Sequence, residues 1–422
     1  MDKISKNFVR LFFGEGLSHL FGFITNAYIA RILGVEGFGL INYSLAFLTY
    51  LLLFSNIGFT TLGTREVSRE QNDNILIGTI TGARFTLTLL LFIFFLSLLT
   101  VIPGTTQVKT VILFYLFTGI PYAFNLEFVF QAREEMGIVA TGKIIQSLGY
   151  LIFILILLRN PKQILTIPIA FFAGYTIATI LLIFFFIKRY KRLYVLFNFS
   201  AFANLLSAAL PIGLATIIYQ AVFNLPTIWL RMLYGEKEVG LFSAGFKIVL
   251  LLLIIERVFY YLVFPILSRA SKKNPAHLPL IIELFTLTLM VITLIVALGV
   301  GIFASKIIGL IYGTNFIAAT PVLRILLLYF ITAPLNTLWG YALVALNQER
   351  KFFKVIFLIA LMNLLMIPVL SYLFKGTGVA LAIFLSEVIG RLIMRQKLSG
   401  VIQFRMPPPV NLARIKEILN PF

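Results

Sequence analysis

Long apolar runs separated by short polar breaks dominate the sequence. Each run is about 20 residues or longer, which is the length that a helix needs to cross the hydrocarbon core of a bilayer. Proline, glycine and asparagine stand in the breaks, as at Pro103-Gly104 and Asn160-Pro161. The pattern predicts an all-α polytopic membrane protein with about twelve transmembrane helices. The predicted spans are residues 8–31, 40–63, 78–102, 109–131, 140–158, 164–187, 203–231, 239–265, 278–303, 320–346, 352–374 and 377–398.

The composition agrees with this prediction and excludes a conventional soluble enzyme. Hydrophobic residues make up 60% of the 422 residues and charged residues only 12%, whereas about a quarter of a soluble domain is charged. The connections between spans are too short for a soluble catalytic domain. Cysteine is absent and only two histidines are present, so no disulfide framework or zinc site is expected. We therefore expect a protein that is not an enzyme and has no resident cofactor.

The charge is strongly positive, with 35 Lys and Arg against 16 Asp and Glu and a net charge of +19. In a soluble protein this excess would suggest nucleic acid as a partner. Here the N-terminus, the even-numbered connections and the C-terminal tail hold roughly three times as many Lys and Arg as the odd-numbered connections. Because basic segments stay on the cytoplasmic side, both termini are predicted in the cytoplasm. Nucleic acid is not needed to explain the charge.

The second half of the sequence repeats features of the first half at an offset near 200 residues. Arg31-Ile-Leu-Gly-Val-Glu-Gly-Phe-Gly-Leu40 corresponds to Arg231-Met-Leu-Tyr-Gly-Glu-Lys-Glu-Val-Gly-Leu241. Phe85-Thr-Leu-Thr-Leu89 recurs identically as Phe285-Thr-Leu-Thr-Leu289. Matches in the same order at corresponding spans indicate an internal duplication.

The duplication predicts the domain organisation. Six spans per repeat is an even number, so the two repeats share one orientation in the membrane. We predict an N-terminal lobe over residues 1–199, a C-terminal lobe over 200–398 and a cytoplasmic tail over 399–422. Two six-helix lobes around a central cavity are typical of a transporter that works by alternating access.

Basic residues inside the predicted spans are the main candidates for a substrate site. An Arg or Lys at the centre of a span costs about 2.5–3.5 kcal/mol by insertion scales, so it usually faces a cavity or a partner. Lys247 and Arg257 lie ten residues apart in the eighth span, about 80° around a helix. With Arg84 of the third span they predict a cationic cavity that binds an anion. The alternative is a set of structural salt bridges between the lobes, and Glu256 is expected to meet a partner on another helix.

Two pairs of residues four positions apart carry further expectations. Glu15 and His19 in the first span can hold a proton near neutral pH, which would suit coupling to a proton or sodium ion. The alternative for this pair is a hydrogen bond that packs helices. Glu387 and Arg391 in the last span have the spacing of an ion pair within one helix.

Four motifs along the chain carry a resemblance to a known family. They are Arg31-Ile-Leu-Gly-Val-Glu-Gly-Phe-Gly-Leu-Ile-Asn-Tyr43, Asn56-Ile-Gly-Phe-Thr-Thr-Leu-Gly-Thr-Arg-Glu66, Phe130-Gln-Ala-Arg-Glu-Glu-Met136 and Ile311-Tyr-Gly-Thr-Asn-Phe-Ile-Ala-Ala-Thr-Pro-Val-Leu323. In this order they resemble the bacterial polysaccharide flippases of the O-antigen and capsule type. That family lies within the multidrug/oligosaccharidyl-lipid/polysaccharide exporter superfamily.

The resemblance implies a flippase of the bacterial inner membrane. Such a protein moves an undecaprenyl-pyrophosphate-linked oligosaccharide from the inner to the outer leaflet for surface polysaccharide biosynthesis, among membrane lipids and beside polysaccharide polymerase machinery. Arg84, Lys247 and Arg257 would then receive the pyrophosphate. The first span departs from the family pattern, because it offers Glu15 and His19 rather than a buried arginine. The alternative is a multidrug or metabolite/cation antiporter of the same superfamily, whose cavity would favour net negative charge.

Overall fold

The computed structural model describes residues 3–69, 74–190, 195, 199–273 and 277–401. Within these residues the chain forms helices and turns, with no strand. The α-helices are α1 Lys3–Asn56, α2 Phe59–Arg69, α3 Asn74–Val101, α4 Thr106–Leu116, α5 Gly119–Ala123, α6 Glu127–Ala132, α7 Met136–Leu157, α8 Thr166–Tyr190, α9 Phe199–Tyr234, α10 Glu236–Leu252, α11 Ile254–Lys273, α12 Leu278–Ile302, α13 Ala304–Tyr312, α14 Thr320–Ala345 and α15 Glu349–Ser399.

Two long helices each hold two predicted spans. α1 bends at Gly34, where φ is 68° and ψ is −173°, and α15 bends at Lys375, where φ is 53° and ψ is −136°. Both bends fall in breaks that the polar pattern predicts. Nine helical stretches of the described chain are long and apolar enough to cross a membrane. The predicted all-α polytopic membrane fold, with about twelve spans, is confirmed.

The fourth predicted span is interrupted, because α4, α5 and α6 divide it into three short helices. Pro121 lies inside α5 and has no amide hydrogen to give to a continuous helix. The side-chain oxygen of Asn125 accepts a hydrogen bond from the Glu127 amide at 2.9 Å, and α6 starts at that residue. Backbone carbonyls at the end of α5 therefore need partners from elsewhere.

The eighth predicted span is also interrupted, between α10 and α11. The amide of Leu253 still bonds to the carbonyl of Val249 at 3.0 Å, but the amide of Glu256 bonds to Leu253 at 3.1 Å, three residues back. This break places Glu256 in the first turn of α11, where a carboxylate is favoured by the helix dipole.

The chain forms two compact units. Unit 1 is Met1–Ser243 with Ile311–Asn315, and unit 2 is Ala244–Leu310 with Phe316–Phe422. All of α9 belongs to unit 1, and its Ala209 packs into the same core as Phe59, Phe128 and Phe130. The division at residues 199 and 200 into two repeats stays a prediction, and most of the predicted tail lies outside the described residues.

Unit 2 has a core of its own around α11, α12, α14 and α15. Val263, Leu267, Leu338 and Val355 are among its buried members. The opposite face of α12 leaves Leu287 46% exposed, alongside further apolar side chains. An exposed apolar face on such a hydrophobic helix is what lipid contact requires. The exposed members of this face are Leu287, Met290, Val291, Leu294, Ile295 and Leu298.

Candidate functional site

Arg84 lies in α3 and is buried, with only 2% of its surface exposed. Its Nη1 donates to the carbonyl of Asn125 at 2.8 Å, and its Nη2 donates to the carbonyl of Tyr122 at 2.7 Å. The guanidinium also lies over the Tyr122 ring, 4.7 Å from the centroid. These carbonyls lie where the fourth span is interrupted. Arg84 thus supplies the partners that the broken helix lacks, and it places positive charge at a helix C-terminus.

This geometry limits what Arg84 can offer to a ligand. Both terminal nitrogens are occupied by backbone carbonyls, and within the described residues Nε has no hydrogen-bond partner. A ligand would meet the charge of the side chain rather than a free guanidinium fork. The assignment of Arg84 to a cationic cavity stays a prediction.

Three ionisable side chains meet inside unit 1. The Nζ of Lys143 lies 2.8 Å from Oε1 of Glu15 and 3.1 Å from Oε1 of Glu127. Gln131 donates to the same Glu127 oxygen at 2.9 Å. About a quarter of each of the three charged side chains is exposed. Because two carboxylates share one ammonium, this cluster, the Glu15 cluster, carries a charge of −1 when all three groups are ionised.

Two members of this cluster, Glu15 and Glu127, are ionisable residues within predicted spans. His19, the predicted partner of Glu15, lies one turn further along α1 and is exposed. Lys143 was missed, although a lysine within the apolar stretch from Met136 to Leu157 was a usable signal. The grouping of the three had no signal, since no helical spacing links residues of α1, α6 and α7.

The remaining predicted site residues lie in unit 2. Lys247 is half-buried on α10, and no hydrogen bond or ion pair joins it to another described residue. Glu256 lines a narrow cavity with Tyr260 of α11 and with Pro334 and Tyr341 of α14. Arg257 lies on α11, and its side chain lies outside the described residues.

The predicted site residues therefore divide between the two units. Arg84, Glu15 and His19 belong to unit 1, whereas Lys247, Glu256 and Arg257 belong to unit 2. A single cationic cavity made of Arg84, Lys247 and Arg257 stays a prediction.

The predicted ion pair between Glu387 and Arg391 is wrong, because each side chain has another partner. Glu387 accepts a hydrogen bond from Nδ2 of Asn336 at 2.5 Å, through its Oε2. The guanidinium of Arg391 lies over the ring of Trp339, 4.3 Å from the centroid. Both partners come from α14, which packs along α15, so tertiary contacts replace the pair within the helix.

The repeated motif forms two turns, which we call the first turn (Arg31–Leu40) and the second turn (Arg231–Leu241). In the second turn the side chain of Arg231 is only 9% exposed and its Nη2 lies 3.0 Å from Oε1 of Glu236. Its Nη1 donates to the carbonyl of Pro103, and its guanidinium lies 4.7 Å from the Tyr43 ring centroid. Arg231 thus contacts two segments that lie far earlier in the sequence.

The first turn makes the corresponding contact with a segment that lies later in the sequence. Nε of Arg31 donates to the carbonyl of Ile311, at 2.9 Å, in the second repeat. Tyr312 beside it is buried against Phe38, with ring centroids 5.9 Å apart. Each turn therefore holds a backbone carbonyl near the start of the fourth span of the opposite repeat.

The two turns also pack directly on each other at their glycines. A Cβ on Gly39 would lie 1.8 Å from the carbonyl oxygen of Glu236, and a Cβ on Gly240 would lie 2.1 Å from that of Val35. Only glycine permits these approaches, so the matching Gly-Leu pairs mark a contact between the two turns.

Comparisons with known proteins agree with this architecture. A protein of Escherichia coli (strain K12) named "Putative O-antigen transporter" is 20% identical over 395 residues, covering 92% of this chain and 94% of that protein. The structure of the lipid II flippase MurJ in an inward closed conformation aligns with a TM-score of 0.75 at 14% identity, covering 93% of this chain and 87% of MurJ. An inward-facing multidrug resistance MATE transporter aligns with a TM-score of 0.73 at 14% identity, covering 91% of this chain and 95% of the transporter.

The structural likenesses show the fold, and the family match extends this to the kind of protein. The polysaccharide biosynthesis protein family matches residues 4–271, more than half of the chain. The family resemblance of the sequence motifs is confirmed. The prediction of a multi-pass membrane transport protein, rather than an enzyme, is also confirmed. The chain belongs to the polysaccharide biosynthesis protein family.

Proposed function

We propose that this protein is a flippase that moves an undecaprenyl-pyrophosphate-linked oligosaccharide across the bacterial inner membrane for surface polysaccharide biosynthesis. The family match over residues 4–271 carries the proposal. The fold of a lipid II flippase over most of the chain supports it, as does the name of the Escherichia coli relative. The product would pass to polysaccharide polymerase machinery on the outer face.

Positive charge within the spans would receive the pyrophosphate. Lys247 suits a point-charge contact, since no described side chain bonds to it, and Arg257 would add a fork that fits phosphate oxygens. Arg84 would act at longer range, because its terminal nitrogens are held by Tyr122 and Asn125. Alternating access would then expose this charge to each leaflet in turn.

The orientation follows from the positive-inside rule, with both termini in the cytoplasm. The first and second turns then lie on the outer side, together with Pro103 and Ile311. Pro103, Ile311 and the arginines of both turns all belong to unit 1.

Transport is proposed to be coupled to a proton or a sodium ion at the Glu15 cluster. The cluster holds two carboxylates, which can take up a proton or offer oxygen ligands to a sodium ion. Glu15→Gln should then change the dependence of transport on the proton or sodium gradient. If transport by Glu15→Gln keeps the ion dependence of wild type, Glu15 has no coupling role. If His19→Gln also keeps it, neither residue of the pair Glu15–His19 couples transport to an ion.

The test of the function uses a bacterial strain whose own O-antigen flippase gene has been deleted. The wild-type chain, given a matching sugar repeat, should restore surface polysaccharide. The Lys247→Ala, Arg257→Ala double variant should fail to do so while reaching the membrane in normal amount. Arg324→Gln is the matched control, because Arg324 is an exposed arginine of unit 2 whose described contact is the Gly301 carbonyl.

The antiporter alternative is supported by the alignment with a MATE transporter. An antiporter would give resistance to cationic drugs in the same strain without restoring polysaccharide. That outcome would replace the flippase assignment.

A further inference from the structure

A basic cleft opens in unit 2 between α12, α14 and α15. Its volume is roughly 290 Å³, and its polar lining consists of Glu283, Thr286, Trp339, Arg391 and Arg395. A water molecule takes about 30 Å³ of liquid, so the cleft has room for a phosphate group together with several waters. Neither the proposed transport route nor the Glu15 cluster uses these residues.

Arg391 is held in place but not satisfied. Its guanidinium lies 4.3 Å from the Trp339 ring centroid, and the ring is itself fixed by a 2.9 Å hydrogen bond from Nε1 to Thr286. The Trp339 ring contacts the face of the guanidinium, so the N–H groups at its edge can still donate hydrogen bonds. Within the described residues, the buried Nη1 has no hydrogen-bond partner. A buried donor without a partner is costly, and more so when it is charged, so this atom indicates an absent acceptor.

The charge of the cleft favours an anion as that acceptor. Arg395 follows Arg391 by one helical turn and is exposed, while Glu283 comes from α12. No salt bridge joins Glu283 to either arginine in the described chain. With two arginines and one carboxylate the lining carries +1, and the paired arginines suit the oxygens of a phosphate.

The position of the cleft points to a lipid as the source of the phosphate. Arg395 and Arg391 lie four and eight residues before the end of α15 at Ser399, which is about 6 and 12 Å along the helix axis. Beside them Leu287 and Leu392 are 46% and 64% exposed, as expected for side chains among acyl chains. Basic pockets between helices at headgroup depth on the cytoplasmic side are where anionic lipid headgroups bind.

We propose that this cleft binds the phosphate of a membrane lipid in the cytoplasmic leaflet, with Arg391 as the main donor and Arg395 as the second. The site goes beyond the proposed function, because a protein that carried another substrate would still hold a lipid phosphate here. Its source is either an anionic phospholipid or a polyprenyl diphosphate, which share this chemistry.

The test measures lipid retention by the full-length protein purified in detergent, using native mass spectrometry. The probes are phosphatidylglycerol, undecaprenyl diphosphate, inorganic phosphate, and a neutral diacylglycerol that lacks the phosphate. Arg391→Gln should weaken binding of the preferred lipid about tenfold or more, because it removes a charged hydrogen-bond donor. Glu283→Gln should strengthen it, because this change removes the carboxylate from the cleft.

Arg391→Lys and Arg324→Gln guard against a general loss of folding. Arg391→Lys keeps the charge and should retain part of the binding, and Arg324→Gln removes an arginine of unit 2 that does not line the cleft and should leave binding unchanged. If Arg391→Gln weakens binding of undecaprenyl diphosphate more than binding of phosphatidylglycerol, the site is assigned to a polyprenyl lipid. If it weakens binding of phosphatidylglycerol equally or more, the site is assigned to a phospholipid. The proposal is overturned if Arg391→Gln binds both lipids as well as wild type, if Arg324→Gln weakens binding equally, or if diacylglycerol or inorganic phosphate binds as tightly as the phosphate-bearing lipids.

Discussion

The first and second turns share one sequence motif but hold their arginines differently. Arg231 is nearly buried, bonded to Glu236 and Pro103 and stacked on Tyr43. Arg31 is exposed and donates to the carbonyl of Ile311. In the described chain, the matching carboxylate Glu36 is exposed and forms no ion pair.

A one-residue shift of a glycine explains the difference. In the first turn the left-handed residue is Gly34, three positions after the arginine, whereas in the second turn it is Gly235, four positions after it. The carboxylate follows five positions after the arginine in both turns. Glu236 therefore begins α10 directly after its bend and faces back to Arg231, while Glu36 lies one residue further along its helix, about 100° around the axis. The position of the bend, rather than the presence of both charges, decides whether the ion pair forms.

The largest effect is expected where the two turns touch. Gly39→Ala and Gly240→Ala should each destabilise the protein by about 2–3 kcal/mol, because the added carbon would collide with a backbone carbonyl that cannot rotate away. The apparent unfolding temperature in detergent measures the effect. Gly22→Ala is the matched control on α1, since nothing lies within 4 Å of its added carbon. Equal stability of all three variants would contradict the close contact between the turns.

An intermediate effect is expected from the arginines, and it should be unequal. Arg231→Gln should cost about 2 kcal/mol, because it removes a charged hydrogen bond and leaves Glu236 without its cation. Arg31→Gln should cost about 1 kcal/mol or less, because the side chain is exposed. The same unfolding measurement compares them, and Arg231→Lys should fall between Arg231→Gln and wild type. Equal losses for Arg31→Gln and Arg231→Gln would show that burial does not distinguish the turns.

The smallest effect is expected from the carboxylates and isolates the ion pair. A double-mutant cycle between Arg231 and Glu236 should give a coupling energy of about 1 kcal/mol, since the pair is partly buried. The matching cycle between Arg31 and Glu36 should give a value near zero. A coupling in the first turn as large as that in the second would refute the role assigned to the glycine position.

The spans were predictable because lipid contact demands long apolar helices, and both the bends and the breaks leave polar residues in the sequence. The bends at Gly34 and Lys375 fell where the pattern placed them. The interruption of the fourth span was not placed by this pattern. Pro121 and Asn125 weaken a helix there, but hydropathy averages over them and cannot tell which helix will supply the missing partners.

The partners of charged residues were the least predictable part of the site. Lys143 lies 128 positions from Glu15, and Asn336 lies 51 positions from Glu387. The spacing rule for helices sees only neighbours three or four residues apart, so it proposed the pair Glu387–Arg391 that the tertiary contacts displace. The comparison of the two turns adds that even five-residue spacing is ambiguous when a bend lies inside it.

The bond between Arg84 and the broken fourth span has a consequence for biogenesis. If the third span entered the bilayer alone, Arg84 would have no carbonyls to accept its hydrogen bonds. If the fourth span entered alone, it would carry backbone carbonyls without hydrogen-bond partners into lipid. Arg84 of the third span and the carbonyls of the fourth span satisfy each other's hydrogen bonds, so each lowers the cost of placing the other in the bilayer. We therefore expect the two to enter the membrane as one hairpin, and a chain truncated between them to be handled by the insertion machinery as a defective segment.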